Sequence, residues 1–306
     1  MRRRSSLALR CSLAACVALP LLAGCRGRDA DAADSSRPAI LPAFAQQRTN
    51  AEAAVPAVPY SPDTPRMLAR AARRWPHDTL AYTQGLVVRG DQLLESTGLE
   101  GRSELRAVDR ATGRVLRRAA LPDDEFGEGI AAIGGRVYQL TWKNGRGRVY
   151  DEHTFALVDS FTYRGEGWGL ASGDSLLYLS DGTSTVRVIE PRGFRTVRTI
   201  HVTEAAKPVY MLNELEWVRG ELWANVYETT FIARIDPATG HVVGWIDLRA
   251  LLPDAERERL ADGGGVANGI AYDARAGHVL VTGKDWPFMF QLDSVPAPGA
   301  ACCTMP

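Results

Sequence analysis

FGEGIAAIGGRVYQLTWKNG, residues Phe126 to Gly145, sets two short apolar runs on either side of Gly134 and Gly135. Such a stretch describes a β-hairpin, and its first strand opens on a lone carboxylate, Glu128, between two glycines. Four other segments share the design: GLVVRGDQLLEST from Gly85, GLASGDSLLYLSDG from Gly169, ELEWVRGELWANVY from Glu214 and GIAYDARAGHVLVTGK from Gly269. Their starts recur at roughly 40 to 45 residues, the period of propeller blades. The last interval is longer because it holds LLPDAERERLADGGG.

Each of the first four hairpins is followed by a second, in LRAVDRATGRVLRRAAL, GRVYDEHTFALVDSFTY, VRVIEPRGFRTVRTIHV and IARIDPATGHVVGWIDL. Asp109, Asp151 and Asp236 stand where an aspartate caps a tight turn. Four strands per unit result. The fifth unit ends at FMFQLD without an outer partner, and MLARAARRWPHD near the N-terminus can supply one, closing the ring and covering its edges. The expected fold is all-β: a five-bladed β-propeller over residues 67–293, with four antiparallel strands per blade, closed by an N-terminal strand. A β-sandwich has no reason to keep this period.

The 36 basic residues balance the 36 acidic ones, which leaves no electrostatic footprint for nucleic acid. Arg2, Arg3 and Arg4 precede a short apolar run that ends in Leu22, Ala23, Gly24 and Cys25. This layout is that of an export signal, and its end resembles the lipobox of bacterial lipoproteins, in which the cysteine is acylated. Residues 1–25 are therefore expected to be a signal peptide with lipid attachment at Cys25. Residues 26–66, rich in Ala and Pro, are expected to be a flexible tether. The expected location is the periplasm, lipid-anchored to an envelope membrane, with membrane contact through the N-terminus alone. The remaining cysteines are Cys11 and Cys16 in the signal and Cys302 and Cys303 in the tail 294–306, so the domain offers no thiol for zinc and no internal disulfide.

In a propeller the first strand of each blade runs along the central channel, so residues just before equivalent strand starts ring one opening. They are Gln84, Glu128, Trp168, Asn213 and Asn268. The ends of the second strands bring Trp142, Lys143, Asp181, Tyr227, Glu228, Lys284 and Trp286 towards the same end. A set able to hydrogen-bond and stack suggests a binding site at that mouth. Taken singly, a glutamate between glycines is more often a solvated turn residue, and the register it shares with Gln84 and Asn213 reverses that preference. Trp217, Trp223 and Trp245 read as packing, and Asp181, Glu214 and Glu216 as turn or blade contacts.

The runs YTQGL, ESTGLEGRSELR, FGEGI, LTWK, GEGWGL, LNELEW, WANVY, NGIAYD and VTGKDWP, in this order from His77 to about Phe290, resemble the glutaminyl-peptide cyclotransferase family of plants and bacteria. The resemblance implies a five-bladed propeller that converts the N-terminal glutamine of peptides or proteins to pyroglutamate and releases ammonia. It implies Glu128 as proton shuttle. Carried over by motif, Gln84, Phe126, Trp142, Trp168, Asn213 and Lys284 line the substrate pocket, with Tyr82, Tyr227 and Asn268 beside them. The family often has Phe where Tyr82 stands and Trp where Tyr227 stands, which bears on substrate preference.

In such a cyclisation nucleophile and electrophile share one molecule, so the task is conformational and protonic. Lys284 could stabilise an oxyanion or instead lower the pKa of Glu128, and the residues do not choose between these roles. The five histidines are scattered and show no spacing suited to zinc. No cofactor is expected to be required. A structural calcium ion in the central channel is compatible with the fold, and the chemistry is expected not to depend on it. The competing reading is a non-catalytic propeller that binds an envelope peptide or glycan in the channel. A monomer is expected.

Overall fold

The computed structural model describes residues 61–296; Cys25, most of the tether and most of the tail lie outside the described residues. Five small antiparallel sheets follow one another along the chain as blades. The innermost strands are Thr83–Arg89, Gly127–Ile133, Leu170–Gly173, Leu212–Val218 and Ala267–Asp273. The fifth blade is completed by Ala71–Pro76, which pairs antiparallel with Phe288–Leu292, so strands from both ends of the domain share one sheet. One feature departs from four strands per blade. Arg66–Leu68 adds a fifth strand to the fourth blade, parallel to Val242–Asp247, and covers an edge that would otherwise stay open.

Five buried apolar clusters lie between neighbouring blades rather than within them. Leu86 and Leu93 of the first blade pack on Ala271 and Leu280 of the fifth, and Ile232 and Ile246 of the fourth pack on Ile270 and Phe290 of the fifth. Burial of these facing surfaces drives the ring together. The innermost strands meet closely near the axis. A Cβ on Gly129 would stand 2.5 Å from the Leu170 nitrogen, and one on Gly169 would stand 2.0 Å from the Asn213 carbonyl oxygen.

Glycine occupies this level in four blades, and Glu214 occupies it in the fourth. Its side chain crosses the channel: one oxygen accepts from the Ile270 amide at 2.8 Å and the other from the Leu86 amide at 3.3 Å. A carboxylate from one blade thus ties two others and floors the mouth above it. The hairpin aspartates act as expected. Asp109, for example, accepts from the Ala111 and Thr112 amides and the Thr112 hydroxyl.

Three loops leading into innermost strands are pinned alike. Arg106, Arg148 and Arg187 stand at equivalent positions on third strands, opposite Glu95, Gln139 and Leu179. Arg106 donates to Asp78 at 2.8 Å, Arg148 forms a two-pronged pair with Glu125 at 2.8 and 2.9 Å, and Arg187 donates to the carbonyls of Arg164 and Glu166 at 2.7 and 2.9 Å. Planar guanidinium donors fix such loops well.

Candidate active site

In four blades the pairing of first and second strands slips just where the ring residues lie: between Thr83 and Gly85, Gly127 and Ile130, Leu212 and Leu215, and Ala267 and Ile270. A bulge re-aims side chains that regular pleating would place against a neighbouring blade. Gln84, Glu128, Asn213 and Asn268 occupy these irregularities, and all four are buried. The ends of the second strands meet the same level, since the amides of Gly98, Trp142, Tyr227 and Lys284 donate to the carbonyls of Tyr82, Phe126, Met211 and Val266.

Five aromatic rings line this mouth. Tyr82 meets Phe126 edge-on with ring centres 6.1 Å apart, Phe126 meets Trp142 at 5.6 Å, and Trp168 meets Tyr227 at 5.6 Å. The two groups of rings are joined at both junctions. The Lys284 ammonium lies 4.7 Å from the Tyr82 ring centre and 4.9 Å from that of Tyr227, distances at which a cation is attracted to a ring face. At the other junction one oxygen of Glu166 accepts from the indole N–H of Trp142 at 2.7 Å and of Trp168 at 2.9 Å.

Glu128 is 5 % exposed. Burial pushes its carboxyl well above the usual carboxylate range, the Lys284 ammonium pulls it part of the way back, and the Glu166 carboxylate adds to the rise. Burial lowers Lys284 to about 8, against the pull of Glu128, Asp285 and Glu228. An acid held above its ordinary range beside a lysine held below its own is the pattern of a proton-handling site. Burial also drives the Tyr82 hydroxyl up, with Tyr227 and Glu128 contributing.

The amide side chains divide. The Asn268 amide donates to the Thr83 carbonyl and to the Gln84 side-chain oxygen, both at 2.9 Å, so it joins the fifth blade to the first and orients Gln84. The Asn213 side-chain oxygen is buried and accepts no hydrogen bond, a cost normally met by a ligand or water. Trp286, expected near the mouth, packs instead in the core between the fourth and fifth blades and donates to the Gly265 carbonyl. Among the described residues, no three His, Cys, Asp or Glu side chains are grouped to hold a metal ion.

A family model described as glutamine cyclotransferase matches residues 40–293. The chain belongs to the glutamine cyclotransferase family. It is 40 % identical over 224 residues to the glutaminyl-peptide cyclotransferase of Arabidopsis thaliana, a match that covers 71 % of this chain and 68 % of that protein. The crystal structure of Myxococcus xanthus glutaminyl cyclase is 35 % identical, with a TM-score of 0.67 over 75 % of this chain and 97 % of that one. Glu166 lies in the GEGWGL run but is not among the residues that the sequence assigns to the site. Its equivalents two residues before the ring position are Tyr82, Phe126, Met211 and Val266, and that register, rather than its residue type, is the signal that could have found it.

Proposed function

We propose that the protein cyclises the N-terminal glutamine of peptides or proteins to pyroglutamate, with Glu128 carrying the proton. The neutral α-amine attacks the γ-carboxamide carbon, a C–N bond forms, the bond to the amide nitrogen breaks, and ammonia leaves. The Glu128 carboxylate takes a proton from the attacking nitrogen and gives it to the departing one. The observation that supports this most is a nearly buried carboxyl, lifted by burial, beside Lys284 and within the ring of aromatic walls. The free oxygen of Asn213 supplies an acceptor for the substrate amine, and Lys284 supplies positive charge for the developing oxyanion.

Ammonia release from a short glutamine-starting peptide tests the proposal. Glu128→Gln keeps the shape and is expected to lower turnover about 100-fold or more, and activity should persist with a chelator. Unchanged turnover in Glu128→Gln would remove the shuttle, and no release by the unmodified protein would favour a propeller that only binds. Glu128 must be ionised to accept the proton, and the α-amine, which titrates near about 8 when free, must be neutral, so the rate should rise from acidic to mildly alkaline pH with both ionisations shaping the rising limb.

A calcium ion in the channel is not needed for these steps. The location proposed from the N-terminal residues is the periplasm, with a monomeric propeller tethered to a lipid at Cys25, and membrane fractionation of the full chain checks the anchor.

A further inference from the structure

We propose that Glu166 is a positioning residue of the cyclisation, one carboxylate oxygen holding the indoles of Trp142 and Trp168 as two walls of the glutamine pocket. The proposal rests on the reading that this mouth cyclises glutamine. The two tryptophans come from different elements, Trp142 from the end of a second strand and Trp168 from the loop into the next blade. The Gly167 amide donates to the Trp142 carbonyl at 3.1 Å, which ties the two backbones and leaves the angle between the rings to their side chains. An indole nitrogen only donates, so a single acceptor shared at 2.7 and 2.9 Å fixes both rings relative to one point. A charged acceptor makes these the stronger kind of hydrogen bond.

The acceptor is itself held. Arg187 donates to the Glu166 and Arg164 carbonyls and lies 3.5 Å from Asp181, so the backbone that carries the carboxylate is anchored to a third strand. Without this clamp the two indoles would lose their shared acceptor at the junction opposite Lys284. Trp142 would keep its edge contact with Phe126, Trp168 its contact with Tyr227 and the Gly167 amide its bond to the Trp142 carbonyl, but no shared acceptor would fix the two indoles.

Glu166 has a second consequence through its charge. Glu128 is faced by Lys284 from the fifth blade, by Tyr82 from the loop into the first, and by Tyr163 and Glu166 from the connection between the second and third. Of these, Glu166 is the carboxylate that opposes ionisation of Glu128. The two roles separate by substitution. Glu166→Gln keeps an acceptor oxygen and removes the charge, whereas Glu166→Ala removes both.

Steady-state ammonia release from a glutamine-starting peptide across pH is the first experiment. Glu166→Gln is expected to hold KM within about twofold and to move the rising limb of the pH–rate profile to lower pH. Glu166→Ala is expected to raise KM about tenfold or more. A wild-type KM and profile in both variants would overturn the proposal. Should Glu166→Ala not fold, Trp142→Phe and Trp168→Phe each remove one indole N–H and leave a ring; an increase in KM of about threefold to tenfold is expected, and no change in either overturns the clamp. Calorimetric binding of the same peptide to Glu128→Gln, with and without Glu166→Ala, separates the two readings. If the shuttle assignment fails, Glu128→Gln stays active while the loss of binding persists; if the clamp fails, binding is unchanged.

Discussion

At the scale of single residues, the site turns on two buried groups of opposite sign displaced in opposite directions. Glu128 is raised chiefly by burial and drawn back by Lys284, and Lys284 is lowered to about 8 by burial and drawn back by Glu128. Removing the ammonium therefore leaves the acid harder to ionise. Lys284→Met is expected to move the rising limb of the pH–rate profile to higher pH, opposite to Glu166→Gln. If the ammonium also steadies the oxyanion, turnover at the plateau falls about 100-fold. A shifted limb with an undiminished plateau would leave charge tuning as its only part. Glu128 was legible because its FGEG setting repeats the register of Gln84 and Asn213, but a carboxylate after Gly165 looks like any turn residue. Its importance lies in the two indoles that meet it, a fact of three dimensions.

At the scale of elements, alternation and turn chemistry carried most of the blades into view, since Asp-x-x-Thr-Gly turns and paired apolar runs mark hairpins directly. The bulges were not legible. Pairing slips depend on how two strands settle against their neighbours, and the sequence shows only a polar residue next to a glycine. The short strand Arg66–Leu68 escaped because three residues are too few to display alternation. Glu214 was expected to make turn or blade contacts, and it spans the channel to Leu86 and Ile270. Buried amides left without an acceptor are costly. Glu214→Ala strands two of them and is expected to destabilise the propeller by about 2 kcal/mol or more, read as a lower urea midpoint at unchanged slope. An unchanged midpoint would mean that water replaces the carboxylate at no net cost.

For the whole molecule, the missing outer strand of the last repeat announced closure from the N-terminal side, whereas the polar latch at that seam had no signal in the sequence. His77 stands between the two blades that meet there: its Nδ1 contacts the Trp286 carbonyl at 2.7 Å and its Nε2 contacts Glu95 at 3.0 Å. Glu95 also accepts from Arg106 at 2.8 Å and from the Thr83 hydroxyl at 2.7 Å. Burial alone would lower the imidazole, but the charge of Glu95 and its hydrogen bond outweigh burial and lift His77 above 6.5. Glu95 in turn lies below the usual carboxylate range despite burial, because Arg106 and His77 favour its charge. A histidine raised on folding binds its proton more tightly in the closed ring than in the unfolded chain. Its stabilising contribution is therefore complete below about 6.5 and is lost as pH rises through the folded value. Urea unfolding of the wild type and His77→Gln at pH 6, 7, 8 and 9 should show the variant weaker by about 1–3 kcal/mol at pH 6, with the gap narrowing towards pH 9. A gap that stays constant with pH would show that the seam is held by neutral hydrogen bonds, and the charged latch between the first and last blades would have to be abandoned.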